Sequence, residues 1–207
     1  MKKSVVSVLL FILICGGVLA QSQNPVTWDV ALLKRIGSEG QSFSPESSIN
    51  LKSGDEYCIY IKSDSPGYCY VIQQDANDTS SIIFRAFWSR SGPFTIGEPE
   101  LILENGYNYF AVPEGRGLIS YDVVVSYNQI PNLESLWNNG AGRNLPRPQQ
   151  TALKEEVMKI RDSLSTFARQ SGEPTDMAGG ARTGVVPLKA YQYKGQNIYV
   201  ETIAIRY

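Results

Sequence analysis

The chain has 207 residues, a formal charge of −1, 43% hydrophobic residues, three cysteines and no histidine. That length and apolar content suit one folded domain, or one domain with a small appendage, and exclude an intrinsically disordered chain, while the near-neutral balance leaves no electrostatic footprint for nucleic acid. Without histidine there is no Ser-His-Asp or Cys-His catalytic arrangement, no HExxH zinc site and no imidazole base near neutral pH.

The N-terminus opens with Lys2 and Lys3, continues through an apolar run over residues 5–15 broken only by Ser7, and reaches polar Gln21 after Val18, Leu19 and Ala20. This is the pattern of a secretory signal peptide, with small residues Val18 and Ala20 at the −3 and −1 positions of a cleavage site. The run is shorter than the roughly 20 residues a bilayer span requires, which favours cleavage over an uncleaved anchor. Cys15 invites lipid attachment, but Ile14 stands where a lipobox wants a small residue. The expected mature chain begins at Gln21. Loss of Lys2 and Lys3 from the 19 basic residues, with all 20 acids kept, brings its charge to −3. No other stretch is long and apolar enough to span a membrane, so an extracytoplasmic mature chain is expected.

From residue 21 to about 127 the pattern alternates with period two, and turn residues recur every eight to twelve positions, as in an antiparallel β-sandwich or barrel. Trp28, Val30 and Leu32 alternate with Thr27, Asp29 and Ala31 in the first strand. Further strands are expected at 57–62, 68–74, 80–87, 100–104, 108–112 and 120–127. Asp64, Ser65, Pro66 and Gly67 form a turn signal that predicts a hairpin between the second and third strands. In that register Lys62 faces Cys69 and Cys58 faces Gln73, so the two thiols stand roughly 13 Å apart. A disulfide needs Cα atoms within about 7 Å, so both are expected as buried small hydrophobes rather than as a bridge.

Beyond residue 130 the character changes. Residues 131–137 suit one or two helical turns, and 138–148 form a polar loop. A helix is expected at 150–170, with Leu153, Val157, Ile160, Leu164 and Phe167 on one face to pack against the β-rich body. Residues 171–184 are flexible by composition, and strands at 186–193 and 197–206 are expected to form a hairpin around Lys194 and Gly195. The resulting fold class is mainly β: a single sandwich-like domain with one amphipathic helix inserted before a C-terminal hairpin.

Chemical motifs are sparse. The glycine-rich residues 179–184 lack the Lys-Ser/Thr ending and the following helix of a phosphate loop, and read as a linker. Asp75, Asn77 and Asp78 cluster oxygens as a calcium loop does, but without the turn glycine or the bidentate glutamate, so an Asx-closed hairpin loop is expected. Asn77, Asp78 and Thr79 also fit the short N-glycosylation pattern. Asp55, Glu56, Glu98, Glu100, Glu104 and Asp122 could supply a glycosidase carboxylate pair, yet each sits where a turn or an outer strand face carries a solvated acid. A cysteine nucleophile would lack its histidine base. Tyrosines 57, 60, 68, 70, 107, 109, 191, 193 and 199 concentrate in strands, as cross-strand packing demands or as a flat platform for sugars or a protein partner would.

Leu51, Gly54 and Asp55, the alternating strand from residue 57, and Gly67-Tyr68-Cys69-Tyr70-Val71-Ile72 followed by the acidic turn at 75–78 resemble the opening of the bacterial domain of unknown function 4384 family. Asn105-Gly106, the strand at 108–112, Pro113-Glu114-Gly115 and Asp122-Val123-Val124-Val125-Ser126 resemble its second half, so the likeness covers roughly residues 49–131. The chain has Ile83-Phe84-Arg85 where the family tends to have Leu-Phe-Pro. The resemblance implies an all-β accessory domain, often extracytoplasmic or membrane-associated, with no catalytic residues to carry over. No catalytic, cofactor or metal residue is therefore assigned. The expected role is binding without catalysis, to a protein partner or an envelope polysaccharide, with a carboxylate-pair hydrolase or a purely structural envelope protein as the alternatives.

Overall fold

The computed structural model describes residues 25–36, 39–63, 65–75, 77, 79–88, 93–96, 109–140, 145–164, 169–170, 175–176 and 189–207. The expected signal segment, the expected strand at 100–104 and the glycine-rich residues 179–184 lie outside them. The strands are β1 (Pro25–Ile36), β2 (Glu39–Phe43), β3 (Ile49–Asn50), β4 (Glu56–Ser63), β5 (Gly67–Gln74), β6 (Ser80–Trp88), β7 (Pro93–Ile96), β8 (Phe110–Ala111) and β9 (Leu118–Ser126), followed by helices α1 (Pro131–Gly140) and α2 (Arg147–Leu164). Strands β10 (Arg169–Gln170), β11 (Thr175–Asp176), β12 (Lys189–Gln196) and β13 (Ile198–Arg206) complete the chain.

Two sheets form. The first runs β10-β12-β1-β4-β7, with β11 on β12, β2 on β1 and β8 on β4; the second runs β3-β13-β9-β5-β6. The described pairings are antiparallel apart from the short parallel contact of β13 with β3. Alternation places Val26, Trp28, Val30 and Leu32 of β1 in the core between the sheets, opposite Cys69 and Val71 of β5 and Tyr121, Val123 and Val125 of β9. The opposite face of the second sheet carries Tyr70, Ile72, Ile82 and Val124, and the helices cover it with Leu133, Leu153, Val157 and Ile160. Strand β9 is therefore packed on both faces, which is why Val123, Val124 and Val125 run together without a polar break. The architecture is a mainly β sandwich with a helical layer on one sheet.

Helix α2 begins at Arg147, earlier than residue 150, because Pro148 suits a first helical turn and the amides of Gln149 and Gln150 both reach the Pro146 carbonyl. It ends at Leu164 rather than near 170, where Arg169 and Gln170 instead join β12 as β10. Helix α1 extends past the expected Trp137 to Gly140. Of the described part of the strand expected at 108–112, Phe110–Ala111 pairs in the sheet, and residue 108 lies outside the described residues. The short strands β2, β3 and β7 carry too little periodicity to have been expected.

The hairpin expected at 64–67 does not form. Both edges of β4 are occupied, by β1 on one side and by β7 and β8 on the other, so β5 has no edge to join. The chain instead crosses to the second sheet, where β5 lies between β6 and β9. The Ser63 hydroxyl shapes the exit by donating to the Thr27 and Ser65 carbonyls at 3.2 and 2.9 Å. Gly67 then permits a close approach, since a Cβ there would stand 2.7 Å from the Ser126 carbonyl oxygen. Cys58 consequently pairs across from Leu33 on the outer side of the first sheet, and Cys69 across from Ala86 and Val125 in the inter-sheet core. Both are buried free thiols in different sheets, so the shared face and the spacing expected of a hairpin are replaced by separation across the sandwich.

The C-terminal hairpin is replaced in the same way. Strand β12 runs straight through Lys194 and Gly195 on β1, and the chain turns at Asn197, whose φ of 65° is a left-handed geometry that asparagine tolerates. The Asn197 carbonyl accepts the Tyr127 amide at 2.7 Å and the Ser126 hydroxyl at 3.3 Å, which anchors the turn to the end of β9. Strand β13 then pairs with β9 along its whole length.

Candidate functional site

Three places gather polar chemistry. The first is a cleft of about 320 Å³ at the open side of the sandwich, floored by Tyr57, Phe110 and Tyr121 and rimmed by Gln73, Thr79 and Ser81. The Tyr57 and Tyr121 hydroxyls share a hydrogen bond of 2.7 Å, and Phe110 stacks on Tyr121 at 5.7 Å between ring centroids. These rings are buried and pack on one another. The same holds for most tyrosines singled out in the sequence. Tyr57, Tyr60, Tyr70, Tyr109, Tyr193 and Tyr199 are buried, Tyr68 and Tyr191 are half-buried, and Tyr107 lies outside the described residues. Tyr68 packs across the strand pair on Phe87 at 4.8 Å. The described tyrosines among these serve as core and cross-strand packing.

The second is a polar clamp that fastens α1 to the second sheet. Glu134, on the sheet-facing side of α1, accepts the Tyr70 hydroxyl at 2.6 Å and the Arg85 Nε and Nη2 groups at 3.0 Å each. The Tyr70 oxygen in turn accepts the Ile130 amide at 3.3 Å. Burial alone pushes the Glu134 carboxyl up, but the Arg85 and Tyr70 hydrogen bonds outweigh it and hold the carboxyl below its usual range. Burial and the same carboxylate raise the Tyr70 phenol. The sequence reading missed Glu134; an acid in the first turn after Pro131 looks like an ordinary helix-dipole partner.

The third is a groove along α2. One section, about 270 Å³, lies between α2 and the helix-facing side of the second sheet, with Ser80, Ser120, Asp122, Lys154, Arg161 and Thr202 in its walls. A second section of about 330 Å³ lies between the start of α2 and the β5–β6 turn, lined by Asn77, Thr79, Arg147, Gln150, Thr151 and Lys154. Lys154 belongs to both. Arg161 Nη2 donates to Asp122 Oδ1 at 2.6 Å and to the Thr202 hydroxyl oxygen at 2.8 Å, while the Thr202 hydroxyl donates to Asp122 Oδ1 at 2.7 Å. The sequence reading missed these cations, although Arg147, Lys154 and Arg161 recur at steps of seven, a spacing that aligns side chains along one line of a helix.

The three candidate carboxylates among the described residues are each paired with a different cation. Asp55 is held by Lys34 at 2.5 Å and by the Lys52 amide at 2.7 Å. Burial pushes its carboxyl up, and Lys34 with the Lys52 amide more than offsets that, leaving it lowered. Glu56 pairs with Arg35 at 2.6 Å, and Asp122 with Arg161 on the other sheet. Glu98, Glu100 and Glu104 lie outside the described residues. Asp75 Oδ1 accepts the Asn77 and Thr79 amides at 2.9 Å each, which makes the β5–β6 loop the expected Asx turn. Among the described residues no three side chains of metal-ligating type gather at one point. The Cys58 thiol is pushed up to about 12 by burial and Cys69 is raised for the same reason, so both are protonated and shielded. No helix among the described residues is long and apolar enough to cross a membrane.

No family model matches the chain, and no curated protein or solved structure matches it.

Proposed function

We propose that the chain is a non-catalytic, extracytoplasmic binding module of a bacterial cell envelope. The signal-peptide pattern of residues 1–20 and the likeness of residues 49–131 to the domain of unknown function 4384 family support the location. The observation that carries the binding role is the fate of the candidate acids. Among the described residues Asp55, Glu56 and Asp122 are each held by their own cation, and Asp122 stands on the other sheet from Glu56, whereas a hydrolase needs two carboxyls facing one cleft. What the fold leaves open is a polar groove over a rigid helix–sheet seam, the kind of surface that holds a ligand without acting on it. Co-sedimentation tests the proposal: the mature chain starting at Gln21 is mixed with washed envelope fragments and pelleted. Recovery in the pellet at saturable levels is expected. Recovery wholly in the supernatant refutes it.

A further inference from the structure

We infer that the groove along α2 is a binding site for a linear acidic polysaccharide, an assignment that rests on the envelope-binding role proposed above. Arg147, Lys154 and Arg161 stand seven residues apart, which places successive cations about 10 Å from one another and the outer pair about 21 Å apart along one line of the helix. Arg147 lines the section at the start of α2, Arg161 lines the section over the second sheet, and Lys154 lines both. Two of the three acids of the same helix turn the other way: Glu155 and Glu156 line the separate cleft between α2 and α1, where Glu156 accepts Asn132 Nδ2 at 2.8 Å, while Asp162 is exposed and lines neither section of the groove. Among the described lining residues the one carboxylate is Asp122, and it is bound to Arg161. Arg147 occupies the first turn of α2, where the helix dipole disfavours a cation, so its charge adds to the positive helix end instead of relieving it.

The remaining lining selects among polyanions. Hydroxyl and amide side chains, Thr79, Ser80, Ser120, Gln150 and Thr151, share the walls with the cations and suit a ligand that carries hydroxyls between its charges. Met158, 58% exposed, stands between Lys154 and Arg161 and offers an apolar contact for the C–H face of a pyranose ring. No aromatic ring lines either section, so the stacking platform that single-stranded nucleic acid uses is missing from the described groove. Because the expected mature chain, without Lys2 and Lys3, carries a net charge of −3, retention of an anionic polymer depends on this local stripe and not on overall attraction.

The test uses the mature full-length chain and three purified polymers: polygalacturonate, which is acidic and hydroxylated; dextran, which is hydroxylated and neutral; and polyphosphate, which is anionic without sugar. Titration calorimetry at about 50 mM salt is expected to show binding to polygalacturonate only, weakening steeply toward about 200 mM salt. The R147Q/K154Q variant spares Arg161 and its pairing with Asp122, and is expected to bind about tenfold more weakly. K159Q, on the α1 side of the helix, is expected to bind as the unaltered chain does. Unaltered circular dichroism and Tm confirm that each variant is folded. Equal binding of dextran, tighter binding of polyphosphate, no binding of polygalacturonate, or an R147Q/K154Q variant with unchanged affinity overturns the assignment. The two readings fail separately. Envelope co-sedimentation that R147Q/K154Q leaves intact keeps the envelope role and removes the groove, whereas polygalacturonate binding by a chain absent from envelope pellets does the reverse.

Discussion

Replacing Glu134 tests how the helical layer is fixed to the sandwich. In Glu134→Ala the Tyr70 hydroxyl, fully buried, loses its acceptor, and an unsatisfied buried donor costs about 1–3 kcal/mol. Arg85 loses its bidentate partner, but 30% of its side chain is exposed and its head can turn to water. Its contribution is therefore well below the roughly 3–5 kcal/mol of a fully buried pair that loses one member. Alanine recovers a few tenths of a kcal/mol in helix propensity. The net expectation is a loss of about 2–3 kcal/mol at neutral pH, seen as a Tm lower by about 8 °C for a chain of this length. The pH dependence gives a sharper check. The folded Glu134 carboxyl is held below its ordinary value, so its stabilisation is fully present above the unfolded carboxyl range and disappears as pH falls through the folded value. Urea unfolding of the unaltered chain and of E134Q should therefore diverge at neutral pH and converge in acid. Equal stabilities at neutral pH, or a difference that stays constant into the acid range, would refute the clamp as the anchor of α1.

Glu201 points the other way. It sits on β13 beside Tyr199, whose hydroxyl donates to it, and burial raises its carboxyl, with the nearby Glu46 adding to the rise. A raised folded value means that stability falls as pH climbs from the unfolded carboxyl range through the folded value, so E201Q should exceed the unaltered chain in Tm, by a margin that grows over that window and then levels off. In Gly67→Ala the new methyl would meet the Ser126 carbonyl oxygen at 2.7 Å, a backbone atom that can yield only if β5 and β9 part; denaturant titration should show a loss of about 1–3 kcal/mol, and an unchanged midpoint would mean the crossover is looser than drawn. Native protein should resist a thiol-specific reagent, and the chain from Gln21 onward should yield two thiols once denatured; no free thiol in the denatured chain would contradict the placement of Cys58 and Cys69 in separate sheets.

How far the sequence carried depends on the range of each signal. Alternation placed β1, β4, β5, β6, β9 and β13 within a few residues, because period two follows from the pleat of a single strand. The same alternation says nothing about which strand lies alongside. Both expected hairpins failed on that point: Asp64 to Gly67 and Lys194 to Gly195 look like hairpin turns, but an edge already filled by β7 and β8 sends β5 to the other sheet, and Asn197 sends β13 there too. Turn chemistry specifies that a chain bends; the edges left open specify where it goes.

The groove is a mixed case of the same rule. Leu153, Val157 and Ile160 identify the buried side of α2 from the sequence alone, and at about 100° per residue the cations at 147, 154 and 161 fall about 90° around the helix from it, at the border where the helix meets its support. The charge asymmetry between that border and the one bearing Glu156 was therefore readable before any fold was known. What faces each border was not. It depends on β5 having crossed to the second sheet, which brings the β5–β6 turn, with Asn77 and Thr79, beside Arg147 and Lys154, and leaves α1 beside Glu155 and Glu156. Had β5 paired with β4 as its turn suggested, the basic border of α2 would have lost that wall of the groove. The proposed ligand site is thus a consequence of the crossover, and a change that loosens it, such as Gly67→Ala, should weaken polygalacturonate binding even though Gly67 lines no part of the groove.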